Sequence, residues 1–208
     1  MELGQGCIKY PVIRKLWPSC AYTQKPIAAA IAIHQLIDDV KQIESITYSL
    51  PEPFRRVASF TQPTNDAEAR FSIPYCLSVP LIEGRMHPDD YRETYFSDTL
   101  RQSLTQRVKF NLYQLPEGDP GDIGPTTPET LSVKMKDGTV HEKQMLFVPG
   151  GIQEPMTQKQ LIDKLLGCGC DMSVIETFSN ASLEVSIGET GLLNLEYQSQ
   201  DDKQPQVA

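Results

Sequence analysis

No stretch of this sequence is apolar for long enough to cross a bilayer, and no basic, apolar leader precedes Gly4. Both absences point to a soluble, cytoplasmic protein that is not secreted. Histidine is scarce: His34, His87 and His141 are scattered and form no i, i+4 pair of the kind that holds a metal on a helix. Basic residues are outnumbered, 19 Lys and Arg against 27 Asp and Glu, for a net charge of −8. That balance argues against nonspecific binding to nucleic acid or anionic lipid, while leaving room for a local basic pocket that takes a small anion. The cysteines, Cys7, Cys20, Cys76, Cys168 and Cys170, are odd in number and follow no framework, which reads as reduced thiols. Cys168-Gly-Cys170 falls one residue short of Cys-x-x-Cys and has no histidine beside it, so no metal site and no redox pair is expected there. No internal repeat is present.

What the chain does contain is a mixture of helical and extended patterns over 208 residues, enough for one domain with a good core. Residues 5–22 read as irregular, with Pro11 and Pro18 limiting helix. Thr23 is a cap for a helix over "QKPIAAAIAIHQLIDDV", apolar on nearly every side from Ile27 to Ile37 and therefore buried between layers. "IESITYSL", residues 43–50, alternates and stops at Pro51 as a strand does. From Asn65 or Asp66 a single helix is expected through "RFSIPYCLSVPLIEG" to a stop at Gly84, although Pro74 and Pro80 lie within it. Two short helices follow in residues 87–107, then a strand at "VKFNLYQL". Residues 116–129 are a loop dense in proline, glycine and acid. Asp137-Gly138 between two alternating runs marks a hairpin, and Thr157 with Gln160 forms a capping box for a helix whose Leu161, Leu165 and Leu166 make one stripe.

The pattern predicts an α+β fold, a two-layer sandwich whose mainly antiparallel sheet packs on two long helices. A single domain is expected over residues 1–196, with a disordered polar tail at 197–208.

Four pieces of sequence, in order from about Lys9 to Leu166, resemble the C-terminal domain of the MmgE/PrpD family. They are "RKLWPSCAYTQKPIAAAI", "ARFSIPYCLSVPLIEG", "VKMKDGTVHE" and "VPGGIQEPMTQKQLIDKL". The family includes 2-methylcitrate dehydratase, cis-aconitate decarboxylase and iminodisuccinate epimerase. The resemblance implies a cofactor-independent lyase or isomerase working next to a carboxylate of a small polyacid. Such chemistry needs cations to hold carboxylates and a positioned acid and base to move the proton. It places Lys15 where family members have a substrate-facing lysine and Tyr75 where they have a site tyrosine, so these two are the expected catalytic residues. Lys9, Ser19, Cys20, Gln24 and Ser72 are the expected substrate-binding residues.

Two departures weaken proton transfer. Cys20 and Gln24 stand where family members often carry histidine, and a glutamine is no base. The resemblance also covers only the α+β half; the family's site lies against a helical domain placed earlier in sequence, so a homo-oligomer or a separate helical chain is expected to complete it. The alternative is a noncatalytic scaffold that uses its apolar surface, to which residues 27–37 and the Leu161 stripe would contribute. On residue types alone, Tyr75 also reads as core packing and Lys15 as a solvated side chain.

Overall fold

Strand β1, Ile43–Pro51, organises the first part of the molecule, seen in a computed structural model that describes residues 13–115 and 127–180, without the side chains of Glu93 and residues 178–180. Ile46, Tyr48 and Leu50 are buried, while Thr47 and Ser49 between them are partly exposed, as the period of two requires. β1 runs parallel to β2, Val108–Tyr113, and antiparallel to β3, Glu129–Met135, which pairs antiparallel with β4, Val140–Met145. The sheet order is β2-β1-β3-β4. A shift of register between Ile43 and Ser45 leaves Glu44 on the exposed face. Gly138, at φ 90°, turns the β3–β4 hairpin as its Asp-Gly signal predicts.

Helix α1, Gln24–His34, packs on β3 and β4 and on a second long-sequence neighbour, the helix formed by Ile73–Glu83. Its all-round apolarity serves two cores. Ala29, Ala30 and Ile33 join Tyr48, Leu50, Leu131 and Val133 beneath the sheet, whereas Ile27 joins Tyr75, Cys76, Val79 and Tyr91 on the other side. Burying each isoleucine contributes about 1.5–3 kcal/mol. Residues 27–37 are therefore largely internal, with Gln35 and Leu36 the exposed exceptions, and do not form an open apolar surface.

α1 is shorter than its sequence pattern. It stops at His34, whose Nδ1 meets the Leu81 carbonyl at 2.8 Å, and Asp39 caps a separate 3-10 turn at Val40–Gln42. Acidic Asp38 and Asp39 are also unfavourable at a helix C-terminus. Further helices are α2, Glu52–Val57; α3, Asp66–Arg70; α4, Ile73–Glu83; α5, Thr99–Gln106; and α6, Gln158–Gly167. The two principal helices, α1 and α4, have 11 residues each, so the expected long pair is a pair of three-turn helices. Between residues 87 and 107 only α5 is α-helical; the first expected helix is instead two 3-10 turns, Pro88–Tyr91 and Glu93–Tyr95.

The single helix expected over 66–83 is broken in two. Pro74 has no N–H to give to the carbonyl four residues back, so helix cannot run unbroken past Arg70. The Arg70 carbonyl instead accepts from Cys20 N at 3.0 Å, and Ser72 caps the new helix by accepting from Tyr75 N at 3.2 Å. Pro74 thus sits in the first turn of α4, where its missing donor costs nothing. Gly84, at φ 66°, ends that helix as expected. The capping box also forms, with Thr157 N on Gln160 Oε1 at 2.8 Å and Gln160 N on Thr157 Oγ1 at 3.2 Å.

The chain divides into two units, Met1–Lys164 and Leu165–Ala208. In the second, α7 spans Met172–Asn180. The tail from residue 197 lies outside the described residues, as do residues 116–126 of the expected loop.

Candidate functional site

The segment leading into α1 is held by α1's own first residue. Gln24 is buried, and its Oε1 accepts from Leu16 N at 3.1 Å and Trp17 N at 3.2 Å, while its Nε2 donates to Trp17 O at 3.1 Å and Ser19 Oγ at 3.1 Å. Thr23 occupies the expected cap position but does not cap. Its hydroxyl donates to Cys20 O at 2.8 Å and pairs with the Ser19 hydroxyl at 2.7 Å. Ser19, Cys20 and Gln24 are therefore brought together, with Ser19 and Gln24 turned inward on each other. Lys15 is exposed, and its Nζ donates to the Ser19 carbonyl at 2.9 Å. Lys9 lies outside the described residues.

Pro18 and Cys20 dock on the end of α3. Arg70 donates to Pro18 O, and its guanidinium lies 4.6 Å from the centre of the Tyr91 ring. Cys76 is buried under the same segment, and burial pushes its thiol up to about 12, which leaves it protonated and inert near neutrality.

Tyr75, on α4, is 2% exposed and donates its hydroxyl to the Asp90 carbonyl. Its ring meets Phe96 edge-on at 5.4 Å and Tyr91 at 6.3 Å. Burial raises its ionisation to about 12 against the opposing pull of the neighbouring Arg101 guanidinium. Tyr75 also forms part of the wall of a cavity of about 230 Å³, together with Tyr95, Phe96, Arg101, Gln102 and Thr105. Lys15 is not part of that wall. The structure thus brings one of the two expected catalytic side chains to a cavity and holds the other at the surface. Ser72, fully buried, serves as the α4 cap.

Arg101 was not singled out by sequence. It is buried on α5, with Nη2 at 3.0 Å from Glu83 and 3.4 Å from Asp90. Its guanidinium stacks over Tyr95 at 4.4 Å from the ring centre, and Nη1 is buried without a hydrogen-bond partner among the described residues. Asp90 is shared: its other oxygen takes Arg85 at 3.1 Å and His87 N at 2.7 Å. The signal available in sequence was a lone arginine in a polar helix, indistinguishable from a solvated one.

A second buried polar group spans α1 and the sheet. Lys25 Nζ donates to Thr127 O at 2.7 Å and lies 3.5 Å from Glu129, which accepts from Tyr48 Oη at 2.7 Å. Burial lowers the Lys25 pKa and raises those of Glu129 and Tyr48, with the ion pair opposing the shift on Lys25 and Glu129. This lysine is consumed inside the fold.

Among the described residues no group of three His, Cys, Asp or Glu is placed to hold a metal, and no helix is long and apolar enough to cross a membrane. No curated protein matches the chain. The family model of the MmgE/PrpD C-terminal domain matches residues 17–174. That span contains Ser19, Cys20, Gln24, Ser72 and Tyr75 and begins two residues after Lys15. With a four-stranded, mainly antiparallel sheet, an Asp-Gly hairpin and the α4 helix inside the matched span, the chain belongs to the MmgE/PrpD C-terminal domain family.

Proposed function

We propose that this domain forms one wall of a lyase or isomerase site, of dehydratase or epimerase type, that acts next to a carboxylate of a small polycarboxylate or related acid. A second copy or a helical chain completes the site. The observation that carries this reading is the inventory around Tyr75. The cavity wall carries Arg101 and hydrogen-bond donors, and neither a histidine nor a carboxylate. Arginine does not give up its proton in the working pH range, and Tyr75, at about 12, is a hydrogen-bond donor and a poor acid. Such a surface stabilises negative charge. It does not take a proton, so the general base comes from elsewhere. In this reading Lys15 clamps a carboxylate with the two N–H donors that Ser19 leaves free, and Tyr75 donates to the developing charge after releasing Asp90.

The test is proton exchange in D₂O, followed by NMR on a panel of small polycarboxylates, with the chain alone and in whatever complex it is purified with. Exchange is expected only in the complex. Lys15→Ala and Tyr75→Phe are each expected to lower it by about 100-fold or more, and unchanged rates in both variants would end the reading.

A scaffold without catalysis is the second reading. It is favoured by one observation: Gln24, Ser19 and the Tyr75 hydroxyl are all spent on internal hydrogen bonds. A single polycarboxylate that exchanges would reject it.

A further inference from the structure

The cavity against α4 and α5 is the one on which the lyase reading draws, and its charge pattern defines a binding preference that is testable apart from turnover. Its wall has one charged side chain, Arg101; Tyr95, Phe96 and Pro63 supply apolar surface, and Gln62 and Gln106 are exposed amides. The two carboxylates that neutralise Arg101, Glu83 and Asp90, are absent from the wall, and both are engaged by Nη2. Nη1 is left with two N–H donors and no acceptor among the described residues. A buried donor without a partner is unfavourable by about 1–3 kcal/mol, and more when it is charged. The acceptor that best meets a guanidinium is a carboxylate oxygen, because both members of the bond are ionised.

We propose that this cavity binds a small monocarboxylate with a compact apolar body, its carboxylate on Arg101 and its body against Phe96 and Tyr95. The volume of about 230 Å³ lies below the range of about 300–1,000 Å³ usual for larger ligands, so the body is a single ring or a short branched chain. Thr105 cannot compete for the ligand, since its hydroxyl already serves Arg101 O at 2.7 Å and Ser78 Oγ at 3.0 Å. Binding there requires no turnover.

The experiment titrates the 208-residue chain with benzoate and, separately, with benzamide, which keeps the ring and removes the charge, following chemical shifts. Saturable benzoate binding at least about ten-fold tighter than benzamide is expected from a charge-assisted contact. Arg101→Gln should remove that preference. Because Arg101 also supports Asp90 and Glu83, Gln106→Glu is the safer variant. It adds a negative charge at the cavity without disturbing those pairs, and should weaken benzoate several-fold while leaving benzamide unchanged. No saturable benzoate binding, equal affinity for the two ligands, or benzoate affinity indifferent to Gln106→Glu would each overturn the proposal. None of these outcomes bears on proton exchange in polycarboxylates, so the two readings fail separately.

Discussion

The side-chain amide of Gln24 pairs with the backbone of Trp17 at both ends, accepting from its N–H at 3.2 Å and donating to its carbonyl at 3.1 Å. It acts as a piece of sheet ladder supplied by a side chain, fixing the irregular segment before α1. Replacing it with alanine leaves the Leu16 and Trp17 amides and the Trp17 carbonyl without this partner. Gln24→Ala is expected to lose about 2–3 kcal/mol, two to three times the net value of one hydrogen bond. Urea unfolding followed by Trp17 fluorescence checks it, since this is the chain's one tryptophan.

Tyr75→Phe removes a single hydroxyl whose partner, the Asp90 carbonyl, is buried with it. A loss of about 1–2 kcal/mol is expected with the fold retained. The raised ionisation has its own sign. At a pH between the ordinary tyrosine value of 10 and about 12, the unfolded chain has released this proton and the folded chain holds it, so stability falls as pH rises through that window. In the phenylalanine variant this part of the alkaline decline disappears, as thermal melts from pH 9 to 11.5 would measure.

Lys25 and Glu129 should behave as a pair. Lys25→Met strands a buried carboxylate and is expected to cost about 3–5 kcal/mol, whereas the double change Lys25→Met with Glu129→Leu is close to neutral by comparison. Denaturant unfolding of both variants decides it; equal losses would mean that the pair does not interact. The raised Glu129 pKa adds a pH signature. Above the ordinary glutamate value of 4.5 and below the folded one, the folded chain holds a proton that the unfolded chain has lost, so stability declines with rising pH there. Glu129→Gln should flatten that slope.

Three of the four described glycines with left-handed φ rank by what a new methyl would meet. At Gly138 nothing lies within 4 Å; at Gly84 the His34 ring stands at 2.6 Å; at Gly150 the Arg14 carbonyl oxygen stands at 1.9 Å. Alanine at Gly138 should cost about 1–2 kcal/mol, the left-handed penalty alone. At Gly84 the histidine must also leave its contact with Leu81. At Gly150 backbone must move, and the Arg14 N to Gly150 O bond of 3.0 Å goes with it. Melting temperatures are expected to fall in the order Gly138, Gly84, Gly150, with the last the lowest.

Much of the architecture was legible because it rests on local rules. The β1 alternation, the Asp137-Gly138 turn, the Thr157–Gln160 box and the Gly84 stop each depend on a few adjacent residues and on nothing distant. The break between α3 and α4 was less legible, although its cause, Pro74, was in view. What decides it is whether another donor is ready to take the freed Arg70 carbonyl, and that donor, Cys20 N, lies fifty residues earlier. The same holds for the site. The family resemblance marked Tyr75 and Lys15, but only tertiary contact shows that Asp90 already holds the phenol and that Lys15 stays outside the cavity. Arg101 carried no local signal at all.

By itself, then, the order of residues determined most of the strands and turns, the mixed α+β class and the membership of a family, because hydrophobic period, turn chemistry and short motifs act over a few bonds. The tertiary structure decided which polar groups are free to meet a ligand. That choice depends on which donors and acceptors, far apart along the chain, find one another once water is excluded, and burial leaves Arg101 Nη1 unpaired while it satisfies Gln24, Lys25 and Tyr75.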